Sequence, residues 1–110
     1  MIKINELMKK VKELDYDITF LNDEETELFE RYLCLKQTIG KLVKHFKGKH
    51  YLILNLAEET ETGETLVVYK AMYGDYKIYA RPLDMFLSKV DKEKYPKEKQ
   101  EYRFEFIKDL

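Results

Sequence analysis

The residues of this chain that could do chemistry are few, and their spacing removes most of the chemistry open to them. His45 and His50 lie five residues apart across a glycine turn. A metal site built on them would need a third or fourth ligand at suitable spacing, and no further His or Cys supplies one. Glu58, Glu59, Glu61 and Glu64 lack the alternating oxygen-ligand pattern of a calcium loop. His45 therefore reads as a structural residue that hydrogen-bonds nearby backbone. Cys34 and Ser88 are the obvious thiol and serine, yet neither sits in a recognisable elbow or beside a histidine in sequence. Cys34 falls within a helical pattern and reads as a small hydrophobe. The glycines at 40, 48, 63 and 74 stand singly, so no loop cradles a phosphate. Paired carboxylates follow from the charge density alone and give glycosidase chemistry no specific support. The expectation is a protein without metal or cofactor that is not an enzyme.

One stretch gathers residues fit for binding. Residues 65–86 read as a β-hairpin turning at Gly74-Asp75, with a short helical turn starting at Arg81-Pro82. A Gly-X pair between two β-rich runs is the signature of a two-residue type II′ turn. Antiparallel pairing about that turn sets Tyr73 opposite Tyr76, Ala71 opposite Ile78 and Tyr69 opposite Ala80 on one apolar face. The other face then carries Met72 with Lys77, Lys70 with Tyr79, and Val68 with Arg81. Three cations around an aromatic ring have the composition of a surface that stacks on a base or binds an anion. The plainer reading is a solvated strand whose lysines prevent edge association. Arg81 could equally pair with Glu61 or Glu64 and lock a loop, a role that suits the guanidinium fork.

The elements that position these residues follow from periodicity. Ile4, Leu7, Met8, Val11 and Leu14 repeat at helical spacing, ending at Asp15-Tyr16-Asp17. A second helix over residues 24–38 starts from Asn22 or Asp23, has acidic residues in its first turn, and buries Leu28, Phe29, Tyr32, Leu35 and Ile39. Gly40 ends the helical pattern, and strand periods follow: 41–46, then 50–57 as a strand buried on both faces, then the hairpin. Residues 91–101 read as an exposed, charged linker, and 102–107 as a closing strand with Tyr102, Phe104 and Phe106 inward. The fold class is α+β: two N-terminal helices over residues 1–39, then a small antiparallel β-barrel of about five strands over 40–110.

Composition narrows the setting. With 110 residues, 45% hydrophobic and 37% charged, the chain can bury a real core without staples. A net charge of −1 supplies no bulk field toward nucleic acid or anionic membrane. A single cysteine forms no internal disulfide, no apolar run reaches 18 residues, and no secretory leader opens the chain. The expected location is the cytoplasm, without membrane association.

From Gly40 to Val90 the chain resembles a family known as domain of unknown function 1653. The resemblance rests on Lys44-His45-Phe46-Lys47-Gly48 with Tyr51, then Glu61-Thr62-Gly63-Glu64, Leu66-Val67-Val68-Tyr69, Tyr73-Gly74-Asp75 and Arg81-Pro82-Leu83-Asp84-Met85-Phe86. The family's closing Arg-Phe falls at Arg103-Phe104. Glu59 stands where many members carry histidine, and Tyr79 where many carry tryptophan. The resemblance implies an SH3-like small barrel and no activity.

The leading functional expectation is a non-catalytic binding module for an unidentified ligand or protein partner. Small barrels bind through grooves between loops, and Tyr51, Lys70, Lys77, Tyr79, Arg81 and Phe86 are the candidate ligand-binding residues. The second expectation is nucleic-acid binding by the Lys70, Lys77, Tyr79 and Arg81 face, with Lys47 to Lys49 also tracking phosphates and Tyr79 stacking a base. A small hydrolase comes third; it would hold a carboxylate or histidine of shifted pKa in a deep pocket. Monomer and homodimer are both compatible with the sequence.

Overall fold

The computed structural model describes residues 3–107. The chain divides into two units, Met1–Gln37 and Thr38–Leu110.

In the first unit, the apolar spacing produces helix α1 (Ile4–Glu13), with Ile4, Leu7 and Val11 buried. Asp15 and Tyr16 then take left-handed φ of 53° and 62° and end it where the polar pair was expected to. A single 3-10 turn (Ile18–Phe20) follows, opened by the Asp17 carboxylate, which accepts from the Thr19 N–H at 3.1 Å. Helix α2 (Asp23–Gln37) starts with a reciprocal cap. Asn22 Oδ1 accepts from the Glu25 N–H at 2.8 Å, and Glu25 Oε1 accepts from the Asn22 N–H at 3.0 Å. Lys10 Nζ reaches Glu25 Oε2 at 2.7 Å and ties α1 to α2. That ammonium, with the cap, holds the Glu25 carboxyl below its ordinary pKa.

The second unit is a five-stranded antiparallel sheet: β1 (Leu42–His45), β2 (His50–Glu58), β3 (Thr65–Ala71), β4 (Ile78–Pro82) and β5 (Phe104–Phe106), in the order β4-β3-β2-β1-β5. A one-turn helix α3 (Leu83–Phe86) follows β4, with Pro82 at its N-cap. The expected barrel is therefore open. Among the described residues no pairing joins β4 to β5, because β5 spans three residues against β1 and Pro82 offers the ladder no N–H. A bulge between Ile53 and Asn55 bends β2. Strand β2 is buried less than its apolar run suggested, with Ile53 alone fully covered. The core is Val43, Ile53, Val67, Leu83, Phe86 and Phe104, each at most 1% exposed. Phe86 and Phe104 stack at 4.0 Å and 8°, and burying each ring is worth about 1.5–3 kcal/mol.

The β3–β4 register differs from the expected one by a residue. Tyr69 pairs with Tyr79, Val67 with Arg81 and Lys70 with Ile78. The turn at Gly74-Asp75 does form, closed by the Tyr76 N–H on the Tyr73 carbonyl at 3.1 Å. However, Tyr76 joins Gly74 at positive φ (54° and 57°), and the hydrogen bonding between the strands does not resume until the Ala71 N–H donates to the Lys77 carbonyl at 2.9 Å. A connection longer than two residues moves the register by one and exchanges the faces of β4. Tyr79 and Arg81 thus lie on the face of Val67, Tyr69 and Ala71, while Lys70 lies on the other.

Candidate functional site

That exchange of faces builds the site. With Arg81 paired to Val67, its side chain comes over the aromatic interior: Nε donates to the Tyr69 hydroxyl at 3.2 Å, and the guanidinium carbon lies 5.8 Å from the Phe104 ring centre. Among the described residues no carboxylate pairs with Arg81, so the expected partnership with Glu61 or Glu64 is not formed. That loop is braced within itself, where Glu59 accepts from the Glu61 and Thr62 N–H groups at 3.2 and 2.8 Å.

Arg81 opens onto a cleft of about 340 Å³. Its walls are the β1–β2 turn, the end of β4, residues 91–95 and the start of β5. Lys47, Arg81, Lys94 and Arg103 line it, opposed by the single carboxylate of Asp91. Asp91 is already engaged, since Oδ1 accepts from the Glu93 and Lys94 N–H groups at 3.0 and 3.3 Å. Arg103 is the unusual member. Its Nε is buried and has no hydrogen-bond partner among the described residues. A buried guanidinium N–H left unpaired costs about 1–3 kcal/mol.

His45, Phe46 and Tyr95 complete the lining. His45 does the structural work expected of it: Nδ1 accepts from the Lys47 N–H at 3.1 Å and braces the turn that Gly48 closes at a φ of 97°. With Nδ1 as acceptor, Nε2 carries the proton of the neutral ring. Burial, then the neighbouring Arg81, Lys47 and Arg103 charges, lower the His45 pKa to about 4. The ring also packs edge-on against Phe104 at 5.0 Å. Phe46 and Tyr95 meet edge to face at 4.9 Å, with Lys47 Nζ 5.9 and 5.5 Å from their centres. The same ammonium holds the Tyr95 phenol below its ordinary pKa.

Residues 91–101 are thus no linker. The segment leaves and rejoins the sheet where the Val90 N–H donates to the Glu101 carbonyl at 2.9 Å, and Lys92 Nζ bridges the Glu98 and Gln100 carbonyls across it. Its composition resembled a linker because its satisfaction is through backbone and turn contacts, which leave no hydrophobic period.

The candidate ligand residues separate. Tyr51, Tyr79, Arg81 and Phe86 share one aromatic assembly around Tyr69 and Phe104, with centroid separations of 5.3–5.8 Å for the Tyr51, Tyr79 and Phe86 rings against Tyr69 or Phe104, apart from the closer Phe86–Phe104 stack. Phe86 is wholly buried and acts from behind as packing, whereas Tyr79 is 42% exposed. The Tyr51 hydroxyl lies 2.7 Å from that of Tyr73, and burial, then this bond, raises the Tyr51 pKa. Lys70 points its ammonium over Tyr76 at 5.9 Å on the opposite face, and Lys77 belongs to the exposed turn. Sequence reasoning missed Lys94, Tyr95 and Arg103 as site residues. Arg103 could have been found by asking where the Arg-Phe pair would lie beside Lys44-His45-Phe46-Lys47-Gly48. The backbone answers: the Phe46 N–H donates to the Arg103 carbonyl at 2.9 Å.

Among the described residues no group of three or more His, Cys, Asp or Glu could hold a metal ion, and no helix is long and apolar enough to cross a membrane.

Comparison with known proteins agrees with the geometry of the second unit. A family described as "Protein of unknown function (DUF1653)" matches residues 41–106. A crystal structure of a DUF1653 protein from Bordetella bronchiseptica is similar at 30% identity and a TM-score of 0.52, covering 63% of this chain and 86% of that one. No protein with a curated description matches the chain. Five of the eight cleft residues (His45, Phe46, Lys47, Arg81 and Arg103) come from the stretches that carry the resemblance.

Proposed function

Because the chain belongs to the DUF1653 family, a family described by no activity, we propose from its own geometry that it is a non-catalytic binding module whose ligand is an anion held in the cleft. The observation that carries this reading is a cleft where four cations face one carboxylate that is already engaged by backbone N–H groups.

A hydrolase would use the same cleft differently, with His45 as its base. Two features argue against that role. The acceptor nitrogen of His45 is occupied by the Lys47 amide, and a pKa of about 4 makes the ring a weak base near neutral pH. Nucleic-acid binding was expected from Lys70, Lys77, Arg81 and Lys47 to Lys49 around Tyr79; Lys47 and Arg81 line the cleft, whereas Lys70 lies on the other face of the sheet from Tyr79 and Arg81.

Thermal-shift titration at low ionic strength tests the proposal. Citrate and pyrophosphate serve as anions, with spermidine as a cationic control. Ligand-linked stabilisation raises the melting temperature by several degrees once the concentration is well above Kd. Anions are expected to do so in the wild type and not in R81Q. If neither anion moves the transition, the cleft is not a binding site for anions.

A further inference from the structure

The proposal of an anion leaves its chemical class open, and the donors in the cleft narrow it. Arg81 spends Nε on the Tyr69 hydroxyl, which fixes the guanidinium and leaves its terminal N–H groups. Arg103 brings a second guanidinium to the lining. His45, its tautomer set by the Lys47 amide, offers Nε2–H as an uncharged donor. Lys47 and Lys94 rest on the faces of Phe46 and Tyr95. These donors come from four separate stretches of chain, so they reach a ligand from several directions. A carboxylate is planar and presents two oxygens. A terminal phosphoryl group presents three strong acceptor oxygens in a tetrahedral array and about −1.5 to −2 charges.

Size and charge bear on what carries the phosphoryl group. A cavity of about 340 Å³ lies at the small end of the ordinary range for ligand sites, about 300–1,000 Å³. The cleft bears four cations and one carboxylate, +3 in all. Both aromatic faces are also occupied by ammonium groups rather than held open for bases.

We infer that the cleft among His45, Arg81, Lys94 and Arg103 is a site for a small phosphorylated molecule, bound through one or two phosphoryl groups. The inference rests on the anion-binding reading above and specifies it.

Isothermal titration at low salt separates the outcomes, using inorganic pyrophosphate, orthophosphate, citrate and a short oligothymidylate. Pyrophosphate is expected to bind one to one, about tenfold or more tighter than citrate and no weaker than the oligonucleotide. R103Q is expected to lower pyrophosphate affinity at least about tenfold, and R103K, which keeps the charge but loses the fork, to recover only part of it. Should R103Q fail to fold, K94Q carries the test, since Lys94 is exposed and braces no element; it is expected to weaken pyrophosphate binding severalfold. Citrate binding as tightly as pyrophosphate would overturn the phosphoryl assignment while leaving an anion site. Oligothymidylate binding more than about tenfold tighter than pyrophosphate would overturn the small-molecule assignment. Binding of none of the four would overturn both readings.

Discussion

Replacing His45 with asparagine is expected to flatten the acid limb of the stability curve. In the folded chain the imidazole sits half-buried against Phe104 and near Arg81, Lys47 and Arg103, and its pKa falls from 6.5 to about 4. The unfolded chain binds that proton first. Stability from this group is therefore complete above pH 6.5, declines as pH falls, and is gone below about 4. Taken at face value the displacement corresponds to about 3 kcal/mol, at 1.36 kcal/mol per pH unit. The ring is partly exposed, and solvent screening reduces this to about 1–2 kcal/mol. Protonation would also turn the Lys47 N–H and Nδ1 into two opposed donors, which works in the same direction. Asparagine keeps an acceptor near Nδ1 and has no proton to gain. Urea denaturation at half-unit steps from pH 7.5 to 3.5 measures the difference between wild type and H45N. The carboxylates with lowered pKa (Asp17, Glu25 and Glu59) titrate alike in both and cancel. H45N is expected to be less stable at pH 7.5, having lost ring packing, with the gap closing by about 1–2 kcal/mol toward pH 4. A gap constant across that range would refute the cationic, desolvated surroundings assigned to His45.

Other perturbations test the fold. Phe104→Ala is expected to cost about 3–5 kcal/mol in urea denaturation, because it empties the stack on Phe86 beneath the site. Tyr73→Phe removes the partner of the Tyr51 hydroxyl, with an expected loss of about 0.5–1.5 kcal/mol. Glu25→Ala breaks the reciprocal cap and the Lys10 ion pair together; helical circular dichroism is expected to melt earlier, by the equivalent of about 1–2 kcal/mol. Tyr76→Asn relaxes a left-handed aromatic residue and is expected to stabilise by about 0.5–1 kcal/mol with the β3–β4 cross-peaks of NMR unchanged.

Much of this architecture was legible in the sequence because it is local. The α1 stripe of Ile4, Leu7 and Val11, the Asn22 cap and the change of character at Gly40 are each set by residues within a turn or two of one another. The turn at Gly74-Asp75 was legible too, since glycine supplies its positive φ. What lay beyond reach was the register that follows it. That register depends on Tyr76 accepting a left-handed conformation, which its own preference opposes and only the tertiary fold enforces. One residue of slip moved Tyr79 and Arg81 from an expected solvent face to the aromatic one and left Lys70 behind. Closure failed for a similar reason: whether β4 and β5 meet is a long-range matter that strand counting cannot decide. Of the residues lining the cleft, Arg81 alone was among the candidate ligand residues, while Tyr51 and Tyr79 lie outside that lining. Lys94 and Tyr95 were not, because they enter through a segment whose charges and Pro96 look like a linker, and Arg103 was not, because the meeting of the closing strand with the β1–β2 turn is a long-range contact.

The most direct test of the central claim is to observe the Arg103 Nε–H itself. In a nitrogen-15 labelled sample titrated with pyrophosphate, that signal, the Arg81 side chain and the Lys47 amide are expected to shift together and saturate at one equivalent. An Arg103 Nε–H unmoved at saturating pyrophosphate, or shifts confined to surface lysines such as Lys70 and Lys77, would contradict it.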